Sequence, residues 1–476
     1  MSRLPDIETD FPAWYAEVVR GAELAEHSAV RGSMVIRPHG YAIWELLQRE
    51  LDDRIKGTGH ENVYFPLLVP RSVMAREADL IEGFSPEVAV VTEAGGSVLE
   101  EPLVVRPTSE ATIWHTYAGW VQSYRDLPLL YNQWANVVRW ELRPRLFLRT
   151  TEFLWQEGHT AHETEEEAIA ECLLILEHVY AAVQESVLAM PVLRGRKSPR
   201  ERFAAARETF TTEAMMRDRK ALQAGTSHYL GDEFARAYGV SYTGRDGQEH
   251  HPFAASWGAS SRLVGGVIMT HGDDRGLRLP PAVAPHQAVV VPIQDSDGDG
   301  RVAEAAATLC AGLRAAGVRV RLDDRDHVRP GAKFYEWEVK GVPLRLELGL
   351  RDLDAGLVTV ARRDGDGRSQ LPLDGIEAAV PDLLEEIQRS LFEQARDFQH
   401  AHTAQLDDRE ELFAYLSAGR GFAAAPWCGR ESCELDVKAA TSATIRLLTL
   451  EAEDPGAPCA VCGQPGAETA TWAQAY

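Results

Sequence analysis

Residues 139 to 159 read RWELRPRLFLRTTEFLWQEGH, and they hold more reactive side-chain types than a surface segment needs. Four arginines, Arg139, Arg143, Arg145 and Arg149, fall within eleven positions, and Phe153 and Trp155 follow. A guanidinium stays charged and presents a planar fork of donors, so Arg139 and Arg149 suit a polyphosphate better than lysines would. Aromatic rings beside them offer a flat apolar surface on which a nucleobase stacks. A bound ATP requires that pairing. Composition alone is equally compatible with an exposed basic hairpin. Neither G-x-x-x-x-G-K-[ST] nor a G-x-G-x-x-G after a strand occurs, so neither a P-loop nor a dinucleotide fold is supported.

A second constellation lies near the end of the chain. Cys428-G-R-E-S-Cys433 is followed after 25 residues by Cys459-A-V-Cys462. Two close cysteine pairs, each with a glycine beside it (Gly429, Gly463), match the geometry of a tetrahedral zinc ion. Four protein ligands leave no open position, so this zinc is expected to be structural. Cys172 and Cys310 sit on helical faces and read as core residues.

The elements around these sites divide the chain. At 476 residues it is too long for one core, and about three domains are expected. Through residue 283 helices alternate with β-rich runs such as NVYFPLLVP and PLVVRPTSE, an α+β pattern. Thr164-x-x-Glu167 reads as a capping box opening a helix with Ile169, Cys172, Leu173, Leu176, Val179, Tyr180 and Val183 on its apolar face. The prolines of LRLPPAVAPHQ (277–287) close this block. From 284 to 385 strand and helix alternate as in a compact, partly parallel α/β domain, and 386–476 holds the cysteine pairs. Asp295-Ser-Asp-Gly-Asp-Gly resembles half a calcium loop, but position 306 is Ala and no acid closes it; a surface turn is expected. No membrane span or secretory signal is visible and cysteine is sparse, which together point to the cytosol. The net charge of −23 argues against non-specific binding to DNA or an anionic membrane, while a local basic stripe for RNA remains compatible with it.

V-V-R-W-E, a short loop and L-R-T-T-E-F together resemble motif 2 of the class II aminoacyl-tRNA synthetases. RPTSEATIW (106–114), QAGTSHYLG (223–231) and SWGASSRLVGGVIMTHGD (256–273) are similar to the matching pieces of one subtype, prolyl-tRNA synthetase of the archaeal and eukaryotic kind. The resemblance covers essentially the whole chain. It implies an antiparallel-sheet class II catalytic domain (1–283), an α/β anticodon-binding domain (284–385) and a small C-terminal zinc domain (386–476). The implied reaction is ATP-dependent attachment of L-proline to tRNA(Pro) through a prolyl-adenylate. Mg²⁺ would accompany ATP, and the active form would be a homodimer with motif 1 near GYAIWELLQRELDDRIKGTGHENVYFP at the interface.

Residue by residue, the resemblance implies that Arg139 contacts the α-phosphate and Arg262 the far phosphates, with Thr226 and Ser260 as lesser contacts. Glu141 would meet the adenine amino group and Phe153 would stack under its ring. Arg149, Thr150 and Gln223 would complete the nucleotide site. Thr108 and Glu110 would receive the proline imino nitrogen, and Trp155, Glu157, His159 and His228 would shape the pocket around its ring. Glu110 also suits the first turn of a helix, and His228 a satisfied core position. The space between motif 2 and residue 223 holds about two helices, too little for an inserted editing domain. In the middle domain, basic residues interleave with Phe334, Tyr335 and Trp337, a mixture suited to unstacked RNA bases. Arg325, Lys333, Phe334 and Trp337 are the anticodon candidates there, against the plainer reading of a solvated, mixed-charge face. A non-catalytic relative would be expected to lack Arg139 or Arg262; both are present.

Overall fold

The computed structural model describes residues 4–78, 88–293, 300–452 and 454–476. The turn expected at Asp295 lies mostly outside these residues. Each of the three blocks anticipated from the sequence has a hydrophobic core of its own.

The catalytic block is built on strands β1 (Glu61–Asn62), β2 (Leu129–Val138), β3 (Glu152–His162), β4 (Val192–Arg196), β5 (Glu208–Met215), β6 (Ala221–Gly231) and β7 (Phe253–Ser260). Neighbours β4–β5–β6–β7–β3–β2 all pair antiparallel. Helix α1 (Pro38–Gly57) buries Ile43, Trp44, Leu47, Leu51 and Ile55 in the catalytic core. Helix α2 (Glu110–Trp120) starts at the acid singled out above, and α3 (Glu165–Leu174) opens with the expected capping box: Thr164 Oγ1 accepts from Glu167 N at 3.2 Å, and the Glu167 carboxylate accepts from Thr164 N at 3.3 Å. The helix continues as a π-helical stretch, Ile175–Ala181, before ending at Ser186. Its wider turns bury both Val179 and Tyr180 beneath the sheet. Helix α4 (Arg262–His271) leaves β7 directly and is buried along nearly its whole length.

The second block is a five-stranded sheet of β8 (Ala288–Ile293), β9 (Val320–Leu322), β10 (Leu344–Gly349), β11 (Leu357–Arg362) and β12 (Arg368–Pro372). Strands β9, β8 and β10 run parallel, and β11 and β12 are added antiparallel, which is the partly parallel sheet expected. Helix α5 (Arg301–Ala315) and the long helix α6 (Ile376–Ala401) cover it. Residue 385 lies within α6, whose Val380, Leu384, Ile387 and Leu391 share one core with β8, so the anticipated boundary at 385/386 cuts a continuous helix. Toward its end the helix passes to a second cluster, where Phe398 packs with Met215 and Ala221 of the catalytic block and Phe422 and Ala473 of the last block.

The last block carries β13 (Thr403–Gln405), β14 (Phe422–Trp427), helix α7 (Glu431–Thr441), β15 (Thr444–Leu448) and β16 (Glu468–Ala473). It does not stand apart. Leu448 of β15 pairs with Arg196 of β4, so one sheet of eleven strands runs β13–β14–β16–β15–β4–β5–β6–β7–β3–β2–β1 through both blocks. The join depends on Gly195: a Cβ there would lie 2.1 Å from the Leu448 carbonyl oxygen and 2.9 Å from Leu447 Cβ. Gly195→Val should therefore part β4 from β15 at a cost of about 1–3 kcal/mol. Limited proteolysis followed by mass spectrometry should show faster cutting around residues 402–410 than in the unsubstituted chain; equal rates would contradict this account of the join.

Candidate active site

A cavity of about 560 Å³ opens on one face of β3, β5, β6 and β7. The pleat explains which residues reach it. Successive side chains on a strand alternate between faces, so Phe153, Trp155, Glu157 and His159 of β3 point the same way. Across the β3–β7 ladder Trp155 pairs with Ser260 and His159 with Ser256, adding β7 side chains to that face. On β6, Gln223 has odd parity while Thr226 and His228 have even parity. A bulge reconciles them: Thr212 pairs with Gly225 but Glu213 with Gln223, leaving Ala224 unmatched and reversing the alternation.

One wall is cationic. Arg139 Nε donates to the Pro107 carbonyl at 2.9 Å, and its guanidinium lies 5.5 Å from the Phe153 ring centre and 5.2 Å from that of Trp155. Arg262 Nε donates to the Leu148 carbonyl at 3.0 Å. Burial, followed by the charges of Arg149 and Arg139, lowers the Arg262 pKa, which records guanidinium groups crowded on one side. Glu141, Arg149 and Thr150 stand in the loop beside this wall and do not line the cavity. Arg149 Nε is 3.7 Å from a Glu141 carboxylate oxygen, and Thr150 Oγ1 donates to the Glu152 carbonyl at 2.7 Å.

The deep end is acidic. Thr108 Oγ1 donates to the Glu110 carboxylate, and both residues are buried. Glu157, also buried, accepts from Ser109, from Gln133 Nε2 at 3.0 Å, and pairs with His159 Nε2 at 3.1 Å. Burial alone would push Glu157 up, but its bond to His159 and those from Ser109 and Gln133 prevail and hold it below the ordinary glutamate range. Burial would push His159 down; Glu157 and the nearby Glu110 prevail and hold it above the ordinary imidazole value. Ligand atoms of Glu110, Glu157 and His159 lie within 4.8 Å of one another, a carboxyl-rich group suited to a bound cation. His228 behaves oppositely: burial, then His159, Arg139 and Lys197, push it down to about 3, so it is neutral at pH 7. Its Nδ1 is 2.9 Å from Thr209 Oγ1. Trp155 Nε1, His159 Nδ1 and Ser256 Oγ are buried without a hydrogen-bond partner among the described residues.

Sequence reasoning missed Lys197, Phe203 and Thr209, which also line the cavity. They belong to β5 and the segment joining it to β4. Only the antiparallel pairing of β5 with β6 brings them over, and nothing in their local sequence marks that register.

The family description "tRNA synthetase class II core domain (G, H, P, S and T)" matches residues 96–271, "Anticodon binding domain" matches 287–383, and "Prolyl-tRNA synthetase, C-terminal" matches 409–476. Proline--tRNA ligase 2 of Rhodococcus jostii is 52% identical over 96% of this chain and 95% of its own. The chain belongs to the prolyl-tRNA synthetases. Proline--tRNA ligase 2 of Clostridioides difficile is 48% identical over 100% of this chain and 98% of its own. The crystal structure of prolyl-tRNA synthetase from Cryptosporidium parvum complexed with L-proline and AMP superposes with a TM-score of 0.93 at 36% identity, covering 100% of this chain and 97% of that one. Its complex with halofuginone and AMPPNP gives 0.95 at 38% identity, covering 99% of each chain.

Of the four middle-domain residues expected to face RNA in this synthetase, three surround Asp323 instead. Arg325 Nε and Nη2 donate to its carboxylate at 2.8 and 2.7 Å, Trp337 Nε1 does so at 2.8 Å, and Lys333 Nζ donates to its carbonyl at 3.0 Å. Burial would raise Asp323, yet the bonds from Arg325 and Trp337 hold it down to about 2. Lys333 and Trp337 are buried, so their polarity is spent inside the domain. Phe334 lines a groove on this domain, where the Arg345 and Arg368 guanidinium groups lie 4.5 and 5.7 Å from its ring centre.

The four C-terminal cysteines converge. Cys428 Sγ lies 3.6 Å from both Cys433 Sγ and Cys462 Sγ, and all four sulfurs fall within 4.8 Å of one another. Metal–sulfur bonds of about 2.3 Å in a tetrahedron separate the sulfurs by roughly 3.8 Å, so this set fits a metal ion. Gly429 and Gly463 follow the first and last cysteines with φ of 78° and 70°, a left-handed turn that glycine adopts freely. Cys172 and Cys310 are buried and apart, as expected of core thiols.

The Glu157–His159 pair makes stability depend on pH with a definite sign. The depressed Glu157 stabilises fully above about pH 4.3, and the raised His159 fully below about pH 6.5. Above that, the contribution of His159 is lost as pH rises through its raised folded value. The difference in melting temperature between the unsubstituted chain and His159→Gln should thus be largest in mildly acidic buffer and shrink toward pH 9. A difference constant across that range would contradict the pairing.

Proposed function

We propose that the chain joins L-proline to tRNA(Pro) in two ATP-dependent steps. The observation that carries this reading is the meeting, in one cleft, of a buried acidic pocket with a cationic, aromatic-lined wall. L-proline presents the complementary pattern: a secondary ammonium at one end of the molecule and a carboxylate at the other. A buried cation without an acceptor costs several kcal/mol, and the Thr108–Glu110 and Glu157–His159 groups supply acceptors. Trp155 and the neutral His228, with Phe203 behind it, border the space for the ring. The proline and AMP bound in the Cryptosporidium parvum enzyme support the same assignment here.

The carboxylate oxygen of proline attacks the α-phosphorus of ATP; that P–O bond forms as the bond to pyrophosphate breaks. The ribose hydroxyl at the tRNA terminus then attacks the carbonyl carbon, and AMP leaves. The first step needs little acid–base help but must bring two anions together. Arg139 is assigned to the α-phosphate, where it is already fixed between Pro107 and the Phe153–Trp155 rings. Arg262 is assigned to the far phosphates with Thr226 and Ser260, and Phe153 to the underside of adenine. Glu141, Arg149, Thr150 and Gln223 complete the nucleotide site from the loop and β6. Mg²⁺ would accompany ATP and share the phosphate charge.

The C-terminal cysteines Cys428, Cys433, Cys459 and Cys462 would hold zinc, which with four thiolates cross-links the block. We assign three units: a catalytic unit 1–283, an anticodon-binding unit from 284 whose second boundary moves from 385 to the end of α6, and the zinc unit beyond it. The architecture is read as the archaeal/eukaryotic kind. Both Cryptosporidium parvum crystal structures match almost end to end, while the curated relatives are bacterial, so the term describes the build and not the source. Phe334, Arg345 and Arg368 are the preferred anticodon contacts. A homodimer through the motif 1 region is supported by Val35, Tyr41, Tyr64 and Leu68, large apolar residues in or beside that stretch of sequence that are each exposed. A cytoplasmic location follows from the substrates; among the described residues no helix is long and apolar enough to cross a membrane.

Proline-dependent ATP–pyrophosphate exchange without tRNA tests the reaction. Arg139→Ala should lower exchange by about 10²–10³-fold with an unchanged melting temperature. Exchange within about twofold of the original would overturn the role of Arg139. Purified protein should also contain zinc, and Cys428→Ser with Cys462→Ser should lose it and melt at lower temperature; elemental analysis finding the metal retained would refute the assignment of the cysteines.

A further inference from the structure

The zinc-bearing unit reaches the cleft through one buried charge network. Glu213 of β5 is fully buried and lies opposite Gln223 in the β5–β6 ladder, on the face that lines the cavity. Two cations share it. Lys197 Nζ donates to its carboxylate at 2.6 Å. Arg446 of β15 donates from Nε at 3.2 Å and from Nη2 at 3.0 Å, and it comes from 233 residues further along the chain. Lys197 Nζ also donates to the Arg446 carbonyl at 2.8 Å. Beside these, Ser198 Oγ donates to Glu434 of α7, one residue after Cys433, at 2.8 Å.

These contacts exceed what joining two strands requires. Lys197 and Arg446 are 6% and 7% exposed, and burying two cations around one carboxylate is costly unless their placement serves something. An ammonium has three donors; Glu213 and the Arg446 carbonyl take two, leaving one for the cavity that Lys197 lines. Glu213 also favours the charge of Arg262, which burial, Arg149, Arg139 and Arg446 disfavour.

We propose that Arg446, supplied by the C-terminal unit, is a positioning residue for adenylate formation: it fixes Glu213 opposite Gln223 and, through Glu213, Lys197 in the wall of the cleft. The C-terminal unit then completes the nucleotide site as well as stabilising the fold. This rests on reading the cleft as the proline-activating site. Arg446 touches no substrate. Its effect is expected on ATP, because Glu213 lies opposite Gln223, assigned to the nucleotide site, and favours the charge of Arg262, assigned to the far phosphates, whereas the acidic pocket for the amino acid is built from β3 and α2.

The test measures proline-dependent ATP–pyrophosphate exchange for the full chain, Arg446→Met, Arg446→Lys and Glu213→Gln, titrating ATP and proline separately. Each is assayed well below its own melting temperature. Arg446→Met and Glu213→Gln should raise the KM for ATP about tenfold and leave that for proline within about twofold, and Arg446→Lys should recover most of the loss. If both constants stay unchanged, or kcat alone falls with the folded fraction, the network is only structural and the inference fails. Should Arg446→Met not fold, the isosteric Glu213→Gln decides by the same criterion. An unsubstituted chain without proline-dependent exchange would bring down the functional reading itself; exchange there with unaltered variants removes only this inference.

Discussion

Charge in the cleft is separated along its length, and that separation constrains most of what surrounds it. Burial, then the charges of Arg149 and Arg139, disfavour the charged form of Arg262, while at the other end Glu110 and Glu157 both act on His159. Neither end could be kept in water-exposed loops with such definition. Each is anchored to backbone: Arg139 to the Pro107 carbonyl, Arg262 to the Leu148 carbonyl, and Tyr117 Oη to the carbonyl of His159 from within α2. The donors are in place before a ligand arrives, which is the condition for electrostatic stabilisation without reorganisation during the reaction.

Rigidity of that order comes from the sheet. Buried β2, β3, β6 and β7 are each paired on both sides, so no cleft residue among them rides on a free edge. The edge that β4 would have offered is closed by β15, which also removes an exposed strand that could pair with another chain. The C-terminal unit is thus joined to the catalytic unit by backbone pairing and by the Lys197–Glu213–Arg446 charges, whereas the anticodon-binding unit keeps its own sheet. The two additions to the catalytic unit differ in kind: one extends its sheet, the other packs beside it.

How far the sequence foretold this depended on whether a residue's position follows from its own strand. Phe153, Trp155, Glu157 and His159 obey simple alternation on β3, and the capping box at Thr164 stands where its spacing indicates. Gln223 and Thr226 line one cavity only because Ala224 is bulged, a feature no local pattern announces. Lys197 and Glu213 are placed by register with β6 and by a partner 233 residues from Glu213, so no motif search could find them. The anticodon residues show the opposite difficulty. Basic and aromatic types were present as anticipated, but Asp323 is buried and draws Arg325, Lys333 and Trp337 inward to satisfy itself. A buried acid outcompetes solvent for its neighbours, and composition cannot reveal which acid is buried.

The same charge separation limits what the pocket can reject. Every amino acid brings an ammonium and a carboxylate, so the acidic end and the arginines recognise the class and leave the side chain to shape. On the proposed assignment, proline would differ from other amino acids in the ring contacts beside Trp155 and His228. Smaller side chains forfeit only those contacts, and a pocket of this kind discriminates by roughly 10–200-fold per methylene. Between motif 2 and residue 223 the chain supplies the helical stretch 165–186 and the strands β4 and β5, all of which serve the sheet or its core.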